Sequence, residues 1–133
     1  MLLLEEKVVK NWRISDSEWL VLRCLWKKSP LEIKEIQGML QEETGWTGNM
    51  VRSLVVRLLD KGAIGAETQD RYFRYYPIAA EEECVRQETR SFVNRVFEGN
   101  VSKFFAAFAG SGKLSEKDRR EIEAILKRMD EEE

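Results

Sequence analysis

Between Trp46 and Lys61 the sequence WTGNMVRSLVVRLLDK sets Asn49 three positions before Arg52 and four before Ser53, so a helix here would show all three on one side. At 100° per residue, Val51, Leu54, Val55 and Leu58 cluster within about 100° and face a core, which turns Asn49, Arg52, Ser53 and Val56 outward. An amide and a guanidinium near the front of a helix are groups that read base edges. Asn pairs bidentately with adenine and Arg with guanine, each good pair giving about 1–3 kcal/mol of discrimination. Met50 stands among them, and Trp46, Thr47 and Arg57 flank them in positions suited to packing or phosphate contact. The next residues, AIGAETQDRYFRYYPI, alternate around Gln69-Asp70-Arg71 as a hairpin does. Arg71 at its tip and Arg74 on its second arm suit backbone phosphates or a minor groove, or else an ion pair with Glu67 or Asp70. Any solvated helix exposes similar side chains; the hairpin that follows at once is what favours DNA.

Other chemistries find little support. The chain has no His for general-base work, no phosphate-cradling Gly-rich loop, and its Glu81-Glu82-Glu83 run lacks nitrogen or sulfur partners. Neither catalysis nor a metal or cofactor is expected. Cys24 and Cys84 sit far apart in apolar or helical patterns and read as buried, reduced structural thiols. The opening MLLLEEKVV has only Met1 and three leucines before a Glu pair, too few for a signal-peptide core or a membrane span, so a cytoplasmic protein without membrane insertion is expected.

The elements that must position these residues are legible from caps and periodicity. Ser15 and Glu18 form a capping box ahead of Trp19, Leu22, Leu25 and Trp26. Ser29-Pro30 reads as the end of that helix and the start of the next, with Pro at its first position, and Ile33, Ile36 and Leu40 form the second stripe up to Thr44-Gly45. Thr47 caps the third helix and Gly62 ends it; Trp46 reads as a hydrophobic staple. Of Tyr72, Tyr75 and Tyr76, at least two are expected to pack the hairpin onto the helices. Beyond Pro77, Val85, Thr89, Phe92 and Val96 lie along one seam of a long helix, and Val101, Phe104, Phe105 and Phe108 along a face of a shorter one. Ser115 and Asp118 open a last helix striped by Ile122, Ile125, Leu126 and Met129. The expected fold is mainly α with a small β-hairpin: a winged helix-turn-helix domain over residues 12–78 and a helical dimerisation module over residues 79–133. Those three stripes are too narrow to bury one another, which favours subunit pairing over a monomeric bundle or a Phe-lined ligand pocket.

The formal net charge is −2, but it is unevenly spread. Residues 12–78 carry ten Lys/Arg against nine Asp/Glu, net +1, and residues 79–133 carry ten against thirteen, net −3. Affinity of one subunit for a polyanion should be modest, and firm binding should need two.

These residues carry a specific resemblance. ISDSEWLVLRCLWKK, then W-T-x-x-x-V-x-S-L-x-x-R-L-x-x-K-G, a hairpin ending in Tyr75-Tyr76-Pro77, and SFVNRVFEGN occur in the order seen in the penicillinase-repressor family of bacterial regulators, across about residues 13–130. The resemblance implies a homodimer whose winged-helix domains occupy two half-sites of a palindromic operator while C-terminal helices join the subunits. It implies repression of β-lactam-resistance genes, relieved when a membrane sensor with a protease domain triggers cutting in the C-terminal module. Carried over from the Asn94-Arg95 to Gly99 segment, the bond cut would be Ala107-Phe108. This chain departs from the family in having Met50 where Thr is usual and Ala107 where Asn precedes the scissile Phe. It also lacks the paired C-terminal cysteines of copper-responsive relatives.

Overall fold

The computed structural model describes residues 10–132; residues 1–9, which include the opening apolar run, and Glu133 lie outside the described residues. Helix α1 (Asp16–Lys27) starts at the expected capping box: the Ser15 hydroxyl accepts the Glu18 N–H at 3.2 Å and the Glu18 carboxylate accepts the Ser15 N–H at 2.9 Å. Helix α2 (Ile33–Thr44) stops at Gly45, whose φ of 65° is the left-handed conformation that favours glycine. Helix α3 (Gly48–Lys61) lies between its Thr47 cap and Gly62. Strands β1 (Ile64–Gln69) and β2 (Tyr72–Pro77) pair antiparallel with Ile64 opposite Pro77 and Gln69 opposite Tyr72, leaving Asp70 and Arg71 as the turn. Helices α4 (Glu81–Phe97), α5 (Val101–Gly110) and α6 (Glu116–Glu131) complete the chain.

The start of α2 differs from the expectation. Pro30 is not its first residue; Glu32 is the N-cap and Ile33 opens the helix. The chain between α1 and α2 bends at Lys28 and Pro30 instead, and Leu31 then pairs with the wing: its N–H donates to the Tyr75 carbonyl at 3.0 Å and its carbonyl accepts the Tyr75 N–H at 2.8 Å. A backbone pairing across more than forty residues outweighs the local preference of proline.

The described residues up to Gln87 form one compact unit and those from Glu88 a second. In the first, Leu22 and Leu25 of α1, Ile36 of α2, Leu54 and Leu58 of α3 and Ile64 of β1 are almost wholly buried. Each contributes roughly 1.5–3 kcal/mol on leaving water. Trp19 and Trp26 meet edge to face at 5.6 Å, and the Trp26 indole N–H donates to the Ala79 carbonyl at 2.9 Å, closing the chain behind the wing. Whereas the patterning of apolar residues sets a boundary at 78/79, the compact unit extends into α4. Ala79 and Cys84 belong to its core, and the Gln87 side chain bonds to the backbone of Lys10 and Trp12.

In the second unit Phe104 is the hub of an aromatic cluster, edge to face with Phe92 at 6.1 Å, Phe97 at 5.7 Å, Phe105 at 5.4 Å and Phe108 at 6.1 Å. Even so, neither α5 nor α6 has a fully buried residue. Among the described residues no helix is long and apolar enough to cross a membrane, and no group of His, Cys, Asp and Glu is placed to hold a metal ion.

Candidate nucleic-acid interface

Helix α3 divides cleanly into two faces. Val51, Leu54, Val55 and Leu58 are buried, and Asn49, Met50, Arg52, Ser53, Val56 and Arg57 are all exposed. Its front end is fixed from both sides. The Thr47 hydroxyl accepts the Met50 N–H at 3.2 Å, so Thr47 supplies the cap. Half-buried Trp46 packs on the core, its N–H donating to the Thr44 hydroxyl at 3.1 Å and its carbonyl accepting from Gln37 Nε2 at 3.3 Å. The base-edge candidates therefore start from a helix end that cannot fray easily.

The rear of α3 is held by an ion pair that periodicity did not reveal. The Lys61 ammonium bonds the Glu18 carboxylate on α1, which is 2 % exposed, and also the Arg13 carbonyl. Burial pushes the Glu18 carboxyl up, but the bonds from Lys61 and from the backbone and hydroxyl of Ser15, with the Lys61 charge, outweigh it and hold the carboxyl below its ordinary value.

The hairpin stands beside this helix. Tyr75 is buried against the core and Tyr76 is half-buried, its ring lying over Gly65 on the opposite strand, where a Cβ would come within 2.5 Å of it. Tyr72, by contrast, is exposed. Asp70 turns the chain at φ 63°, and Arg71 projects at the tip. Between wing and helices runs an open groove of about 300 Å³ whose walls include Lys34, Arg52 and Arg71, with Glu32 as its single carboxylate and Tyr72 and Phe73 as exposed rings. Three cations against one carboxylate give this concave surface a positive balance, which attracts anions. Arg52 and Arg71, expected from the sequence, thus meet in one place, joined by Lys34 and Phe73, which the sequence reading did not single out. The alternation that buries Tyr75 puts Phe73 on the same side of β2, two residues nearer the tip, and that was the available signal. Arg74 takes neither pairing expected for it: its Nε lies 3.9 Å from the Glu32 carboxylate, tying the wing to the entrance of α2.

The two thiols sit apart from this surface. Both cysteines are free and buried; burial, with Glu83 and Glu81 nearby, pushes the Cys84 thiol up to about 11, and burial also raises Cys24. Neither is poised as a nucleophile. The apolar residues expected to join subunits are distributed along α4, α5 and α6. Phe92, Val96, Phe105, Phe108, Ile125, Leu126 and Met129 are exposed, from 37 % at Phe92 to 58 % at Met129, as is Val85 in the first unit, while Phe104 and Ile122 are half-buried. Ala107 and Phe108 are both exposed in an unbroken turn of α5.

Three helices, the third presenting a polar face beside an antiparallel hairpin, define a winged helix-turn-helix protein. More narrowly, the chain belongs to the penicillinase repressor family, whose sequence model matches residues 14–128. It is 27 % identical over 117 residues to the methicillin resistance regulatory protein MecI of Mammaliicoccus sciuri, spanning 88 % of this chain and 95 % of that protein. To the penicillinase repressor of Bacillus licheniformis it is 28 % identical over 114 residues, or 86 % of this chain and 89 % of the relative. The solution structure of the DNA-binding domain of the repressor BlaI aligns at 30 % identity with a TM-score of 0.49, covering 53 % of this chain and 87 % of that one.

Proposed function

We propose that this protein is a sequence-specific transcriptional repressor that binds a palindromic operator in double-stranded DNA as a homodimer. The observation that carries the reading is the exposed polar face of α3 flanked by the groove of Lys34, Arg52 and Arg71. In this reading Asn49, Met50, Arg52 and Ser53 meet base edges in the major groove. Trp46, Thr47, Arg57 and Arg71 set the register through packing and phosphates, and Arg74 braces the wing. Pairing of subunits through α4, α5 and α6 is supported by apolar faces that the single chain leaves uncovered. Two half-site contacts held together then supply the affinity that a first unit of nearly balanced charge lacks.

Relatives named for methicillin resistance and penicillinase repression support regulation of β-lactam-resistance genes. Release in this reading is by a sensor-protease pathway that cuts α5 at Ala107-Phe108, carried over from the family resemblance and not from those names. Because α5 buries no residue, it can open locally at small cost and admit a protease. The test is selection of fragments bound from genomic DNA, followed by binding titrations across salt concentrations. Expected are one recovered inverted-repeat site and an affinity that falls steeply with salt. Absence of any salt-dependent DNA affinity would leave a protein-interaction module in its place.

A further inference from the structure

Residues 10–13 precede the stretch that the family's sequence model matches, and they are tied down in a way the proposed DNA contacts do not require. Gln87 on α4 spans them: its Oε1 accepts the Trp12 N–H at 3.3 Å and its Nε2 donates to the Lys10 carbonyl. Between these ties the Trp12 side chain enters the core at 8 % exposure, with the Lys10 ammonium 4.8 Å above its ring. One residue further the Arg13 carbonyl accepts from Lys61, the last residue of α3. Lys10–Arg13 is therefore a strap fastened at one end to the rear of α3 and at the other to the second turn of α4.

Within the first unit α4 has one buried side chain, Cys84. A helix anchored only at its foot, by Cys84 and the buried Ala79 that precedes it, can still swing about that end. Gln87, three positions on and on the same face, supplies a second point, and two points fix a direction. The direction matters because α4 runs about 20 Å from Cys84 to its end at Phe97, so that about 10° of slack about Cys84 moves that end by about 3.4 Å, one base-pair step.

We propose that the Lys10–Arg13 strap is a positioning device and Gln87 its positioning residue, fixing the exit of α4 relative to the DNA-reading helix and so making operator binding sensitive to half-site spacing. The inference rests on the proposed repressor function. It requires no contact of Gln87 with DNA.

The test uses full-length protein with Gln87→Met, which keeps length and helix propensity but removes both bonds, and Gln87→Glu, which keeps only the acceptor. A third chain beginning at Ile14 lacks the strap. The probes are duplexes carrying one half-site, or both half-sites of the selected operator with the spacer unchanged or altered by one base pair, read by fluorescence anisotropy. For Gln87→Met and the shortened chain, half-site affinity should stay within about twofold while binding to the natural spacing falls about tenfold. The penalty for a one-base-pair change should shrink from at least about tenfold to under about threefold, with Gln87→Glu between. An unchanged spacing penalty overturns the inference, as does a parallel loss on half-site and full operator, which would mean general damage to the fold. If the unaltered protein binds no duplex, the repressor reading itself fails, a distinguishable result.

Discussion

Arg52 and Arg71 wall one groove from opposite sides, yet they do different things in the proposed complex. Arg71, at the tip of the turn, meets only phosphate, so Arg71→Ala should weaken binding to operator and random duplex alike and lower the slope of log affinity against log salt by about 1. Arg52 lies on the reading helix, and Arg52→Ala should remove about 1–3 kcal/mol from operator binding and much less from random duplex. Competition titrations distinguish the two, and an operator preference untouched by Arg52→Ala refutes the base-reading role. Glu18 carries a different lesson. Its part in the capping box could be read from Ser15 three residues earlier, but its ion pair with Lys61 spans 43 positions and leaves no local pattern. Lys61→Met strands a carboxylate that is 2 % exposed and should destabilise the fold on the order of 3 kcal/mol, toward the low end because Lys61 is 30 % exposed. Because the Glu18 carboxyl is held below 4.5, the pair's contribution is complete above that pH and lost as pH falls through the lowered folded value. In thermal melts the gap between Lys61→Met and the unaltered chain should therefore be widest near neutrality and close in acid.

Elements follow the sequence where their signals are local. Ser15, Thr47 and Ser115 all accept the N–H three residues on, at 3.2, 3.2 and 3.0 Å, and Gly62 stands at φ 76° where α3 ends. The pattern failed at Pro30, where Leu31 answers to Tyr75 in the wing, and it was silent on Phe73, whose role depends on what stands across the groove. The wing itself hangs on close cross-strand packing. Gly65→Ala puts a methyl group within 2.5 Å of the Tyr76 ring, which must swing away. A loss of about 1–3 kcal/mol is expected in thermal unfolding, with weaker DNA binding from the displaced wing; an unaltered melting temperature would show that the ring moves freely.

At the scale of the whole molecule, a division into two units was legible in charge and stripe width, whereas the extent of the first unit was not, since Cys84 and Gln87 join it through partners far away in sequence. The proposed switch concerns α5. A fragment ending at Ala107 loses Phe108 and all of α6, and sedimentation should find it monomeric at concentrations where the intact chain is paired. Equal pairing of the two would exclude the cut as the means of release. The bare faces of α5 and α6 also have a genetic consequence. In the proposed homodimer, a defect at Phe105 or Leu126 would weaken an association governed by mass action, so raising gene dosage should suppress it. A defect at Leu54 or Leu58 damages the interior of each copy, and extra copies would be equally faulty.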